Sequence, residues 1–202
     1  MANKPYIIMT CGYTACFKTT IARKIAGVLR APLIEMFRLG DDTHADGANV
    51  DDNKRARRFS IMNELVDFYF KNNLPVVIDS SFNARKWREP VYKVIERYGV
   101  TDIVWVVCYC DNIEVIKERL KYRGANPDMP DSKNQSLEIY LRSKREHNPV
   151  SEDRLPGGLE ASIIMFNSEL HQVTLTKKVT PLAGTVFDIL SKSAATGTLN
   201  IY

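Results

Sequence analysis

Apolar residues in this chain come in short unbroken runs, separated by longer stretches in which they recur every three or four positions. The runs Tyr6–Met9, Pro32–Ile34, Pro75–Ile78 and Asp102–Cys110 do not alternate with polar residues, which predicts strands covered on both faces of a parallel sheet. Ala161–Phe166 and Gln172–Leu175 are two further strand candidates. Between them lie helical patterns. Thr19–Leu29 carries Ile21, Ile25, Val28 and Leu29 on one face, and Lys54–Lys71 carries Phe59, Met62, Leu65, Val66 and Tyr69. Further helices are expected over Ala84–Tyr98, Asn112–Tyr122, Leu137–His147 and Leu182–Ser193, with Asn72-Asn73 and Gly99 as stops. Strand and helix alternate, so the expected fold class is α/β. In such sheets ligands bind beyond the carboxyl ends of the strands, and residues that directly follow a strand are the first functional candidates.

At 202 residues the chain fits one domain, 1–202. Residues 40–53 are rich in Asp, Gly and Asn, and 124–135 in Pro, Asp and Asn; both read as loops, the second as an excursion between helices. The net charge of +4 suits an anionic ligand but is too small to argue nucleic-acid binding alone. Cys11, Cys16, Cys108 and Cys110 form no CxxC pair and read as reduced core thiols. His44, His147 and His171 have no metal-ligand spacing, and Trp87 and Trp105 read as core or partial core. The opening Met-Ala-Asn-Lys-Pro has no leader pattern, and no apolar run reaches the roughly 20 residues of a membrane span. A cytoplasmic protein with no membrane partner is expected; the oligomeric state is open.

The candidate chemistry starts where the first strand meets the first helix. Gly12-Tyr13-Thr14-Ala15-Cys16-Phe17-Lys18-Thr19, followed by Thr20, fits G-x-x-x-x-G-K-[ST] at Gly12, Lys18 and Thr19. In that loop the backbone N–H groups and the helix N-terminus face phosphates, the lysine adds a point charge, and the hydroxyl ligates Mg²⁺. ATP and Mg²⁺ are therefore the expected cofactors. Phe17 stands where the second glycine belongs, at a position where backbone crowds the ligand. A ring turned away from the phosphates leaves the loop usable; a ring turned toward them does not.

Asp79 ends the Val76-Val77-Ile78 strand, where a carboxylate serves a metal-bound water, the substrate hydroxyl or a turn. Glu35 follows another strand with Arg38 three residues on, a pairing in which the carboxylate takes a hydroxyl proton and the arginine holds the acceptor, or else a surface ion pair. Arg119 and Arg123 share a helix face and can clamp a polyphosphate. Lys144 and Arg145 are weaker candidates of the same kind, and the basic cluster Lys54-Arg55-Ala56-Arg57-Arg58 reads as a solvated helix start or else as a patch that attracts a phosphate backbone.

Four segments, Gly12–Thr20, Glu35-Met36-Phe37-Arg38, Val76–Asn83 and Arg119–Arg123, resemble P-loop kinases of the polynucleotide 5′-hydroxyl kinase type and their AAA-type ATP-binding relatives. The resemblance runs from about Tyr6 to Pro149. It implies a nucleoside-kinase-like core with a five-stranded parallel sheet and a small helical lid at about 119–147. It also implies a general base at Glu35, where the family's D-x-x-R becomes E-x-x-R; Asp79-Ser80 at the family's D-[ST]; and lid arginines at Arg119 and Arg123. Ala15, like Phe17, stands where relatives often carry glycine. The expected function is ATP-dependent transfer of the γ-phosphoryl group to a hydroxyl, of a nucleic-acid 5′ end or of a small molecule. The alternative is a non-catalytic nucleotide- or partner-binding module.

Overall fold

The computed structural model describes residues 5–39, 52–126 and 136–199. Most of the loop expected over 40–53, most of the excursion expected over 124–135, and His44 lie outside the described residues.

The strands are β1 (Tyr6–Gly12), β2 (Leu33–Glu35), β3 (Val76–Asp79), β4 (Asp102–Tyr109), β5 (Ser162–Asn167) and β6 (Gln172–Lys177). The helices are α1 (Lys18–Leu29), α2 (Asp52–Lys71), α3 (Arg85–Arg97), α4 (Ile113–Ala125), α5 (Leu137–Arg145) and α6 (Pro181–Ala195). The described strands form one sheet in the order β2-β3-β1-β4-β5-β6. The first five run parallel, and β6 is antiparallel to β5. The five-stranded parallel sheet expected from the resemblance is therefore present with a sixth strand on its edge. The Ser168–His171 connection is too short for a crossover, so the chain can only return antiparallel.

Continuous apolar strands reflect burial on both faces. Ile7, Met9 and Cys11 of β1 join Ile78, Trp105 and the inner faces of α2 and α3 in one apolar cluster. Ile8 joins Val77, Val104, Val106 and residues of α1, α4 and α6 in the other. Helix stops fall where read: Asn73 and Gly99 both adopt left-handed backbone after α2 and α3. Side-chain caps open the later helices, Asn112 Oδ1 accepting from Glu114 N and Ser136 Oγ from Glu138 N. All four cysteines are free and buried. Burial pushes the Cys11 thiol up to about 12 and Cys16 to about 11, which keeps both protonated and unreactive. Among the described residues no helix is long and apolar enough to cross a membrane.

The segment after Pro149 completes the sheet and braces the central strands. Asp153 is buried and takes a bidentate pair from the fully buried Arg88 of α3, at 2.6 and 2.8 Å. It also accepts from Tyr92 Oη at 2.6 Å and from Arg85 Nε at 3.0 Å. The same Arg88 donates to the carbonyl of Phe82 at 2.6 Å, in the turn that follows β3.

Candidate active site

Gly12 is where the backbone leaves the sheet. Its φ is +133°, and a Cβ there would lie 1.9 Å from the carbonyl oxygen of Cys108 on β4, so no other residue fits. Its N–H donates to the Ser81 carbonyl at 3.0 Å, tying the loop after β1 to the turn after β3. Asn83 reinforces that tie. In the amide orientation that satisfies its neighbours, it donates to the Gly12 and Ser81 carbonyls at 3.1 and 3.0 Å and accepts from Ser143 Oγ at 3.2 Å.

Along the loop, Ala15 and Phe17 have φ of 60° and 66°, the left-handed region that glycine enters freely. These are the two positions where glycine was expected, and each side chain there costs about 1–2 kcal/mol of backbone strain. Phe17 immediately precedes α1 and offers it no side-chain cap. The first N–H groups of this helix are thus left for a ligand. The Phe17 ring packs at the edge of the apolar cluster under α1, against His171. The Lys18 ammonium donates to the Tyr13 carbonyl at 2.6 Å.

Two carboxylates sit side by side at the carboxyl edge, because Glu35 of β2 is in register with Asp79 of β3. They meet α1 at positions one turn apart. Thr19 Oγ1 donates to Asp79 Oδ2 at 2.6 Å, and Arg23 Nε lies 2.5 Å from Glu35 Oε1. Asp79 also accepts from Thr10 Oγ1 at 3.3 Å. The short 3₁₀ turn Met36–Arg38 brings Arg38 Nε to 2.7 Å from Glu35 Oε2, so both oxygens of this buried carboxylate are paired. A hydroxyl and a carboxylate in contact beside Lys18 are the hard oxygen donors that Mg²⁺ takes from a P-loop protein, the rest coming from phosphates and water; Thr19 and Asp79 fit the ion. Among the described residues no three His, Cys, Asp or Glu side chains cluster as a protein-only metal cage.

Arg119 and Arg123 of α4 reach the loop from the other side. Arg119 Nη1 donates to the Ala15 carbonyl at 3.2 Å and Ser168 Oγ at 2.9 Å, and Nη2 to the Ser168 carbonyl at 2.6 Å. Arg123 Nη1 lies 3.5 Å from Thr14 Oγ1.

These groups open into a cleft of about 300 Å³. That volume is at the small end of ligand pockets. Lys18, Arg23, Arg55, Arg58, Arg119, Arg123 and Arg142 line it, against the carboxylates Asp79 and Glu146. Such a wall concentrates anions. Lys18, Thr19, Asp79, Arg119 and Arg123 therefore come together. Glu35 and Arg38 stand next to the cleft but are not in its wall, which is formed there by Arg23, Met36 and Phe37.

Several wall residues escaped the sequence reading. Arg55 and Arg58 turn inward from α2, while Lys54 and Arg57 stay exposed, so the helix start is solvated only in part and two of its arginines face the cleft. Trp87 is half-buried, stacked on Phe59 with ring centroids 4.8 Å apart, and lines the cleft. On α5 the inward face is Ile139, Arg142 and Ser143, continued by Glu146 just past its end, whereas Lys144 pairs with Asp111 and Arg145 is exposed. The spacing of 139, 142, 143 and 146 was the available signal.

No curated protein matches the chain in sequence. Solved structures match its fold. A gluconokinase from Sinorhizobium meliloti 1021 superposes with a TM-score of 0.55 at 15% identity, covering 99% of this chain and 100% of the other. Chaetomium thermophilum Kti12 in complex with ADP-AlF3 gives 0.58 at 15%, covering 93% and 98%. A fungal RNA kinase gives 0.56 at 12%, covering 100% of both. The AAA domain family AAA_33 matches residues 7–145, from β1 through α5 and over all the cleft-lining residues but Glu146, and the chain belongs to that family.

Proposed function

We propose that this protein is an ATP-dependent phosphotransferase of the polynucleotide-kinase-like type, moving the γ-phosphoryl group to the hydroxyl of a nucleic-acid 5′ end or of a small molecule. The observation that carries this reading is the meeting of Lys18, Thr19 and Asp79 at the foot of an arginine-lined cleft, beside an uncapped helix N-terminus. The gluconokinase and the RNA kinase share the fold, which supports either kind of acceptor.

In this reading the loop from Gly12 to Thr20 holds the triphosphate and Lys18 neutralises its outer phosphates. Thr19 and Asp79 hold Mg²⁺, which supplies charge neutralisation when bound. The acceptor oxygen bonds to the γ-phosphorus as the bond to the ADP oxygen breaks, and Glu35 takes the acceptor proton. Arg119 and Arg123 stabilise the charge that develops. Residues 119–147 act as a lid that excludes water. Glu35 must leave an arginine to act. Arg38 is 65% exposed and can swing into solvent, while the buried Glu35 keeps Arg23 as its counter-charge. Arg38 is then released toward the acceptor.

Calorimetric titration with ATP and Mg²⁺ tests the reading, followed by transfer assays on 5′-hydroxyl oligonucleotides and small polyols. Saturable binding with turnover on either acceptor is expected. Binding without turnover on a broad acceptor panel would leave the second reading, a nucleotide-binding module, which the left-handed backbone at Phe17 favours. Glu35→Gln is expected to lower kcat about a hundredfold, the contribution of one general base, while nucleotide affinity holds. Unchanged turnover in a folded Glu35→Gln would overturn the assignment of the base to Glu35.

A further inference from the structure

Arg119 is a charged side chain only 9% exposed. Its hydrogen bonds go to the Ala15 carbonyl, the Ser168 hydroxyl and the Ser168 carbonyl, and none to a carboxylate. Its Nε has no partner among the described residues. Burying a cation without a counter-charge is unfavourable, and carbonyl dipoles meet only part of that charge. The rest faces two things. One is the cleft, whose wall Arg119 joins and where an anion would complete its environment. The other is the Phe17 ring, whose centroid lies 4.1 Å from the guanidinium carbon, within cation–π range.

That ring is itself held. The His171 ring meets it edge-on at 5.9 Å, and His171 and Ser168 belong to the same turn between β5 and β6. Arg119 is thus clamped between the phosphate loop and that turn before any ligand arrives. The left-handed backbone of Phe17 is unfavourable for a side chain and would be relieved by glycine. Glycine would also remove the only aromatic face that Arg119 has among the described residues.

We infer that Phe17 is a positioning residue: its ring fixes Arg119 against the phosphate loop, so that a phosphate anion meets an arginine already in place. This rests on the phosphotransferase reading above. A side chain fixed in advance loses less freedom on binding, which raises affinity without a new contact to the ligand. Phe17 itself lines the cleft, and its ring acts through Arg119.

The inference and its opposite predict opposite signs. If Phe17 merely obstructs the loop, Phe17→Gly restores the loop pattern and tightens nucleotide binding. If Phe17 positions Arg119, Phe17→Gly weakens MgATP binding roughly tenfold, the scale of one desolvated cation–π contact, even though the backbone relaxes. The experiment is calorimetric MgATP titration of the full chain and of Phe17→Gly, Phe17→Leu and Phe17→Tyr, with Arg119→Ala and the Phe17→Gly/Arg119→Ala double variant. The expected pattern is near-normal affinity in Phe17→Tyr and a loss in Phe17→Leu, which fills space but has no π face. Phe17→Gly should add nothing once Arg119 is gone. Equal or tighter binding by Phe17→Gly, or additive losses in the double variant, overturns the inference. Should Phe17→Gly fail to fold, equal affinities for the Leu and Tyr variants overturn it instead. An unsubstituted protein that binds no MgATP at millimolar concentration overturns the phosphotransferase reading itself. That outcome is distinct from normal binding that is indifferent to residue 17.

Discussion

Lys18→Ala is expected to lower kcat/KM for phosphoryl transfer about 10³-fold while the protein stays folded, the scale of removing one preorganised charged donor from a transition state. The ammonium makes a single hydrogen bond among the described residues, 2.6 Å to the Tyr13 carbonyl within its own loop, and no ion pair. It is therefore a positive charge parked on its own backbone, available to a phosphate at the cost of one neutral acceptor. Alanine removes that charge without emptying the core, because Lys18 is only half-buried at the start of α1. The melting temperature should move by only a few degrees, since partly exposed sites of this kind change stability by about 1 kcal/mol or less. Lys18→Arg should not restore activity, because a planar fork cannot occupy the place of a compact ammonium. Steady-state kinetics beside a thermal melt decides the matter. A loss under tenfold in a folded variant would place the triphosphate elsewhere in the cleft.

What was legible in the sequence is what local geometry dictates. The phosphate loop could be read because three residues at fixed spacing between a strand and a helix define a turn, and Gly12 is where nothing larger fits. Asp79 could be read because an unbroken apolar strand ends on it. The loop conformation also explains why Ala15 and Phe17 stood out as departures, since both occupy left-handed backbone. Arg142 escaped because helix phase is set by tertiary burial. Tyr140 is buried, its hydroxyl donating 2.8 Å to the Cys110 carbonyl, and that anchor turns Arg142 inward and Lys144 outward. Arg88 escaped for a stronger reason. An arginine on an amphipathic helix reads as surface, and its partner Asp153 is 65 residues away in the chain with no local pattern linking them.

That pair carries the second large expected effect. Asp153→Asn keeps the volume of the side chain but leaves the fully buried Arg88 without its counter-charge. Breaking one partner of a buried ion pair costs about 3–5 kcal/mol. In a chain of this length that lowers the melting temperature by roughly 10 °C. Replacing both partners with apolar residues, as in Arg88→Met/Asp153→Leu, should recover much of the loss, because no stranded charge remains. The pH dependence has a definite sign. Burial alone would raise the Asp153 carboxyl; hydrogen bonds from Arg88, Tyr92 and Arg85 and the Arg88 charge outweigh it and hold it below the ordinary carboxylate value. A carboxyl with a depressed folded pKa adds stability that is full above its unfolded pKa, about 3.9, and is lost as pH falls through the folded value. The gap in melting temperature between the unsubstituted protein and Asp153→Asn should therefore be constant near neutrality and shrink below about pH 4. The same variant reaches the active site, because Arg88 also fixes the Phe82 carbonyl while the flanking Ser81 and Asn83 hold the backbone of Gly12. Loosening that turn should weaken MgATP binding at temperatures well below the melt, where the protein is fully folded. A variant that melts early yet binds MgATP normally would confine Arg88 and Asp153 to stability alone.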